Sequence, residues 1–234
     1  MTRASKKAAE RFFALETAKR IGANWNLGED RESPDFLVTE GGHRFGLEVS
    51  EVFMGPSGRD GSAMKRAESV VQRTVNSLRA RFEQIANASL RVQLVGSLSA
   101  KNLESVLSRL LAEDFPSKPV LHHVVFDTRN GLRAHATKGL RHDWFSVNDR
   151  VGWVDRDPIA KLAEALEAKS SDLKKLQDAV GPDVRLLFVS NRFNNSGKLC
   201  LSQPAGIDLM GFRAVYFFSF PENVIVFQGG ELAA

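Results

Sequence analysis

The sequence predicts an α/β protein built around a mixed β-sheet. Apolar residues recur at helical spacing in several stretches, and a Gly-Gly pair at 41–42 separates two short segments with strand-like alternation. Further runs rich in β-branched and aromatic residues alternate with the helical stretches. Such alternation along one chain is typical of helices packed on a sheet.

The elements follow from local pattern and from the residues that begin and end them. We predict helices over 8–21, 62–87, 102–112 and 158–180, the last beginning at Pro158, and strands over 34–38, 43–49, 91–98, 120–127, 184–190, 212–220 and 224–228. Residues 129–157 show no clean period, so they form either a loop insertion over a binding face or a surface excursion. With 234 residues, we expect 1–234 to be one domain.

The composition argues against disulfide-bonded, cysteine-zinc and membrane-spanning proteins. The single cysteine, Cys200, cannot form an internal disulfide or a cysteine-based zinc cluster, and no apolar run approaches the length that spans a bilayer. We therefore expect a cytoplasmic protein without a membrane partner. The net charge of +4 is compatible with a polyanionic partner, and equally with an ordinary solvated basic surface.

The segment around Gly41-Gly42 predicts a hairpin that brings two acids together. If the two glycines form the turn, Glu40 pairs with His43 and Asp35 lies opposite Glu48. Directly opposed carboxylates repel each other, so the pair implies either that one acid is protonated or that a hard cation binds both. The alternative is that both side chains splay into water at an exposed strand edge.

A third acid lies on the first helix. At about 100° per residue, Glu16 projects between Phe12 and Phe13, on the face expected to meet the sheet. Glu16 therefore either completes a metal site or pairs with a basic side chain at the edge of the core.

Together these residues resemble a known superfamily. Glu16 on an opening helix, Ser33-Pro34-Asp35-Phe36 and Gly46-Leu47-Glu48-Val49-Ser50 look like the PD-(D/E)xK phosphodiesterases. The resemblance covers residues 8–52 and implies a restriction-endonuclease-like αβββαβ core, with the helix at 62–87 and the strand at 91–98 continuing that order. Ser50 stands where the family pattern has its lysine.

The resemblance implies a metal-dependent nuclease that hydrolyses phosphodiester bonds, with DNA favoured over RNA. Asp35, Glu48 and Glu16 would bind Mg²⁺, or Mn²⁺ in its place, and Ser50 would hydrogen-bond the attacking water. Ser50 supplies no positive charge, so the alternative is a nuclease-fold module that binds nucleic acid without cleaving it. Coordinated cleavage of both strands would require a homodimer.

Cations from elsewhere could replace the missing lysine. Lys65, Gln72 and Arg79 recur every seven residues on one flank of the 62–87 helix. We expect Lys65 to act as a catalytic replacement and Gln72 and Arg79 to bind substrate, the alternative being an ordinary solvated flank. Lys169, with the lysines at 174–175, forms a second cationic strip on the later helix, whose simpler interpretation is again a solvated face.

Overall fold

A computed structural model describes residues 3–55, 57–58, 61–86, 88–96, 98–115, 122–128, 131–138, 143–147, 154–203 and 206–228. The described residues confirm the α/β class with mixed sheets flanked by helices. They fall into two compact units, the first from Met1–Ser62 and Trp153–Ala234 and the second from Ala63–Gly152. Where one domain is expected over 1–234, the chain thus divides into two compact units, the second interrupting the first.

The described elements follow in chain order. They are α1 (Arg3–Arg20), β1 (Asn26–Leu27), β2 (Phe36–Glu40), β3 (His43–Glu51), β4 (Ser57–Gly58), β5 (Gly61–Ser62), α2 (Ala63–Ala86), β6 (Arg91–Gly96), α3 (Ala100–Ala112), β7 (His122–Asp127), β8 (Leu132–Lys138), β9 (Trp144–Val147), α4 (Ile159–Ser170), α5 (Leu173–Val180), β10 (Val184–Asn191), a 3₁₀ turn (Asn195–Gly197), β11 (Ala214–Phe220) and β12 (Asn223–Gln228). None of the helices in the described ranges combines the length and the apolar character needed to cross a bilayer.

Six described strands of the first unit form one mixed sheet in the order β1-β2-β3-β10-β11-β12. The β2–β3 hairpin is antiparallel, whereas β3–β10 and β10–β11 are parallel. The prediction that the strand at 91–98 continues the hairpin sheet is wrong, because β6 pairs with β8 and β9 in the second unit. The parallel neighbour of β3 is instead β10, in which each residue pairs with a β3 residue 138 positions earlier in the chain.

The predicted hairpin register is confirmed. Glu40 pairs with His43, and the ladder continues to the pair Phe36–Leu47. Gly41 and Gly42 have φ values of 55° and 83°, the left-handed backbone that a tight two-residue hairpin turn requires and that glycine adopts without steric cost. The apolar side chains that this register places on one face of the hairpin are all buried: Phe36, Val38, Phe45, Leu47 and Val49.

Helices cover both faces of this sheet. On one face α1 packs through Phe13, Ala14 and Ala18 against the buried hairpin residues and Trp25. On the other face α4 and α5 pack through Leu162, Leu166 and Leu176 against β10 and β11. The sheet is therefore held between two layers, and the carboxyl ends of its parallel strands meet at one edge.

The predicted single helix over 158–180 is two helices, α4 and α5. The break falls at Ser171 and Asp172. Ser170 and Ser171 hydroxyls donate to the carbonyls of Glu167 and Ala168. Short polar side chains compete in this way for backbone groups and favour helix ends, so the break has a local chemical cause.

The second unit has four described strands in the order β7-β8-β6-β9, with helices α2 and α3 packed on one face. Its core includes Phe82 from α2, Leu107 from α3 and Trp144 from β9. The interpretation of 129–157 as an irregular loop insertion is wrong, because the segment contributes β8 and β9 to this sheet. In β8 the buried side chains of Leu132, Ala134 and Ala136 alternate with more exposed ones, a pattern obscured in the sequence by polar residues.

Candidate active site

A cavity of about 580 Å³ opens in the first unit where α1, the hairpin and α4 come together. Three of the predicted site residues, Asp35, Glu48 and Ser50, line it. The remaining lining residues are Lys6, Lys7, Ala9, Glu10, Phe13, Glu32, Val49, Glu51, Phe53 and Lys169. The cavity is therefore rich in ionisable groups of both signs, as expected where buried acids are paired with basic groups.

Asp35 is fixed by the backbone of the neighbouring strand. Its side chain is nearly buried, and its Oδ2 accepts a hydrogen bond of 2.8 Å from the backbone N–H of Val49. Its Oδ1 accepts a hydrogen bond from Lys7 Nζ on α1, with which it forms an ion pair. Extending the observed register by one pair places Asp35 opposite Glu48, as predicted.

Glu48 is held from the other face of the sheet. Lys169 Nζ on α4 donates to Glu48 Oε1 at 2.8 Å, and the two side chains are 27% and 15% exposed. Burial raises the pKa of Glu48 above its ordinary value, the negative charge of Asp35 raises it further, and Lys169 and Lys7 act in the opposite direction. The two acids therefore interact electrostatically, as the hairpin geometry predicted.

A third acid in the cavity comes from α1, but it is Glu10. The Glu10 side chain is buried and contacts Lys6 Nζ at 3.2 Å and Lys7 Nζ at 3.0 Å. Glu16, the predicted third metal ligand, is not among the residues that line the cavity, and its role stays a prediction. The buried stripe of α1 passes through Glu10, Phe13 and Ala14, while Phe12 is 46% exposed.

Lys7 places its ammonium group between Asp35 and Glu10. Burial by itself would lower the pKa of Lys7, but the hydrogen bonds to Asp35 and Glu10 outweigh burial and raise the pKa above its ordinary value. Lys7 is therefore a firmly charged ammonium that neutralises the two acids nearest to it.

Lys169 supplies positive charge that Ser50 lacks. Ser50 lies two residues after Glu48 on β3 and lines the same cavity, but its hydroxyl is neutral. Lys169 reaches Glu48 from a helix more than 100 residues away in sequence. Lys174, in the same predicted strip, is 82% exposed and pairs with Asp178 on α5. The sequence alone offered no signal that separates these two lysines.

The other predicted residues lie on α2 in the second unit. Gln72 donates to Asn76 Oδ1 at 3.0 Å and to the carbonyl of Trp144 at 3.5 Å, and Arg79 pairs with Glu83. Lys65 lies near the start of the same helix. The cavity itself is lined by residues of the first unit, so the roles of Lys65, Gln72 and Arg79 stay predictions.

Asp35 and Glu48 offer carboxylate oxygens, the ligand type that hard cations prefer. Across the described part of the chain, no group of three or more His, Cys, Asp or Glu residues is arranged to hold a metal ion. Asp35 and Glu48 nonetheless provide two carboxylates, the number that Mg²⁺ takes when water and phosphate oxygens fill its remaining positions. Both carboxylates are at present paired with ammonium groups, so a cation would have to replace lysine contacts.

Compared with known proteins, the chain matches no family model, no curated protein and no solved structure. The chemistry of the site therefore has to be argued from its own residues. Two coupled carboxylates, a polar hydroxyl and two ammonium groups in one cavity are suited to binding a phosphate group with a divalent cation.

Proposed function

We propose that the first unit is a metal-dependent nuclease of the restriction-endonuclease-like type, hydrolysing phosphodiester bonds in DNA in preference to RNA. The observation that carries the proposal is the pairing of Asp35 and Glu48 in one cavity, in the predicted register, with Lys169 supplying a cation beside Ser50. Lys169 thus provides in this cavity the positive charge that Ser50, at the family's lysine position, does not supply.

The order of elements supports the same proposal. With residues 63–152 and the two-residue β4–β5 ladder set aside, the first unit begins with α1, continues through the antiparallel strands β1, β2 and β3, and crosses through α4 and α5 to the parallel strand β10. This is the αβββαβ order that the resemblance implies. On this proposal the second unit is an insertion between β3 and the crossover helices.

On this proposal the acids of the cavity bind the cation and the lysines contact negative charge. Asp35 and Glu48 would hold Mg²⁺, or Mn²⁺ in its place, and the bound cation would lower the pKa of a water molecule and neutralise phosphate charge. Lys169, exchanged from Glu48, then donates to the phosphate and stabilises the negative charge that builds up during attack. The Ser50 hydroxyl positions water, and Lys7 neutralises negative charge of Glu10 and Asp35 on the α1 side of the cavity.

Cleavage assays with matched variants test the proposal. The full chain is incubated with single-stranded DNA, double-stranded DNA and RNA in Mg²⁺, in Mn²⁺ and in EDTA. We expect cleavage that EDTA abolishes and that Asp35→Asn and Glu48→Gln each reduce by about 100-fold or more. Asp178→Asn, an exposed acid of α5, serves as the control. Cleavage that persists undiminished in both acid variants would contradict the proposal.

A second candidate is a nucleic-acid-binding module without turnover. The observation that favours it is that both acids are paired, Asp35 with Lys7 and Glu48 with Lys169. A structural ion-pair cluster without a metal would have the same arrangement. This module would bind DNA with an affinity that falls steeply as salt rises, and would cleave nothing in either metal.

A further inference from the structure

A group of phenylalanines borders the candidate active site and leaves aromatic surface exposed. Phe193 is 77% exposed and Phe12 is 46% exposed. Both contact Phe220, with ring centroids 5.6 and 5.7 Å apart. We call Phe12, Phe193 and Phe220 the phenylalanine patch. Single exposed apolar residues are common on protein surfaces, but a contiguous aromatic cluster marks an interaction site.

The patch is continuous with the cavity that holds the acids. Phe13 lines that cavity, and its ring lies 5.4 Å from those of both Phe12 and Phe220. Phe193 and Phe220 also lie at the carboxyl ends of the parallel strands β10 and β11. The parallel strand β3 carries Ser50 into the cavity at the same end. A ligand that occupies the cavity would therefore extend directly onto the patch.

Basic side chains lie near these rings. The sequence of α1 contains six basic and two acidic residues, an excess of four that equals the net charge of the whole chain. Arg20 lies 5.3 Å from the ring of Phe218, which is in turn 5.4 Å from Phe220. Arg192, next to Phe193, pairs with Glu222. Exposed aromatic faces beside a cationic helix match a polyanion that also carries planar groups.

We propose that the phenylalanine patch stacks the bases of a single-stranded DNA segment that leads into the cavity. The inference rests on the proposed nuclease function and narrows its substrate to DNA with an unpaired stretch near the cleavage point. Bases in a duplex already stack on one another, so only an unpaired strand can offer its faces to Phe193 and Phe12. Stacking is tolerant of sequence, because every base has a π-face.

Binding measured without a divalent cation tests this inference apart from cleavage. Fluorescence anisotropy in EDTA compares a labelled oligo(dT) strand with a duplex of the same length. We expect wild type to favour the single strand, and Phe193→Ala and Phe193→Leu to weaken that binding by about 5-fold or more. Phe193→Tyr should bind within twofold of wild type, because it keeps the π-face that leucine lacks. Ile85→Ala removes an exposed apolar side chain elsewhere and should change nothing.

Three results would overturn the inference. Phe193→Leu could bind the single strand as tightly as wild type, which would show that apolar contact suffices. Wild type could show no preference for the single strand. Sedimentation could show that wild type is a dimer that Phe193→Ala dissociates, which would make the patch a contact between copies of this chain. If one of these results is found together with metal-dependent cleavage of duplex DNA, the stacking inference fails but the proposed nuclease function stands. If single-strand binding depends on Phe193 but no DNA is cleaved, the proposed nuclease function fails and the stacking interaction stands.

Discussion

Replacing Lys169 by methionine should separate metal binding from catalysis. Methionine keeps most of the side-chain length and removes the ammonium that donates to Glu48 Oε1 at 2.8 Å. If Lys169 competes with a metal ion for Glu48 and then serves the phosphate, the substitution strengthens metal binding and weakens cleavage. A purely structural lysine would not move these two properties in opposite directions.

The size of the first effect follows from the geometry. Two unit charges 2.8 Å apart attract by about 6 kcal/mol at an effective dielectric constant of about 20, before the cost of removing water from each. Hydrogen bonds to charged groups leave about 1.5–3 kcal/mol after that cost. Because both side chains keep some exposure, we take about 1–2 kcal/mol for the pair. A divalent cation freed from this competition should bind roughly 5- to 30-fold more tightly.

Calorimetric titration with Mg²⁺ and single-turnover cleavage of the same protein provide the two measurements. We expect cleavage by Lys169→Met to fall by about 100-fold, the usual cost of removing one group that stabilises developing charge. Lys174→Met, an exposed lysine of α5, is the matched control and should leave both quantities unchanged. If metal affinity and cleavage instead fall together, Lys169 only supports the fold of the site and does not compete with the metal ion.

Three further predictions follow from the same structure. Adding Ser50→Lys to Lys169→Met should raise cleavage about tenfold or more above that of Lys169→Met in the single-turnover assay, because it returns an ammonium to the cavity from β3. If cleavage does not rise, the loss of positive charge is not the cause of the defect in Lys169→Met. The raised pKa of Glu48 means that its contribution to stability is greatest at low pH and declines as pH rises from its ordinary pKa through the raised one. Urea unfolding across that range should show this decline in wild type relative to Glu48→Gln, and parallel pH profiles would contradict it. Gly46→Ala should lower the free energy of unfolding by about 1–3 kcal/mol, because its Cβ would lie 2.6 and 2.8 Å from carbons of two packed side chains; Gly206→Ala, which meets nothing within 4 Å, is the control.

Local pattern was enough to predict the hairpin and the opposition of its acids. The turn glycines and the strict alternation of apolar residues specify one register, since a slip of one residue would turn the buried face outward. The long amphipathic helix α2 and the strands β10, β11 and β12 were likewise evident from periodicity. These features depend on neighbours within a few residues of one another.

Long-range features escaped prediction for physical reasons. Nothing local in β3 specifies β10 as its parallel partner, because such pairing is decided by the packing of whole elements. Glu10 was missed because Ala14 and Ala18 form much of the buried stripe of α1, while the larger Phe12 lies toward solvent. Lys169 looked like any lysine on an amphipathic helix, and only the fold brings it to Glu48.

The number of Mn²⁺ ions bound, measured by electron paramagnetic resonance, tests most directly the claim that Asp35 and Glu48 act together on one divalent cation. Titrations are run on wild type, Asp35→Asn, Glu48→Gln and the Asp178→Asn control. We expect one tightly bound Mn²⁺ per chain in wild type and in the control, and the loss of that ion in each variant of the acid pair. Equal Mn²⁺ binding by all four proteins would contradict this claim.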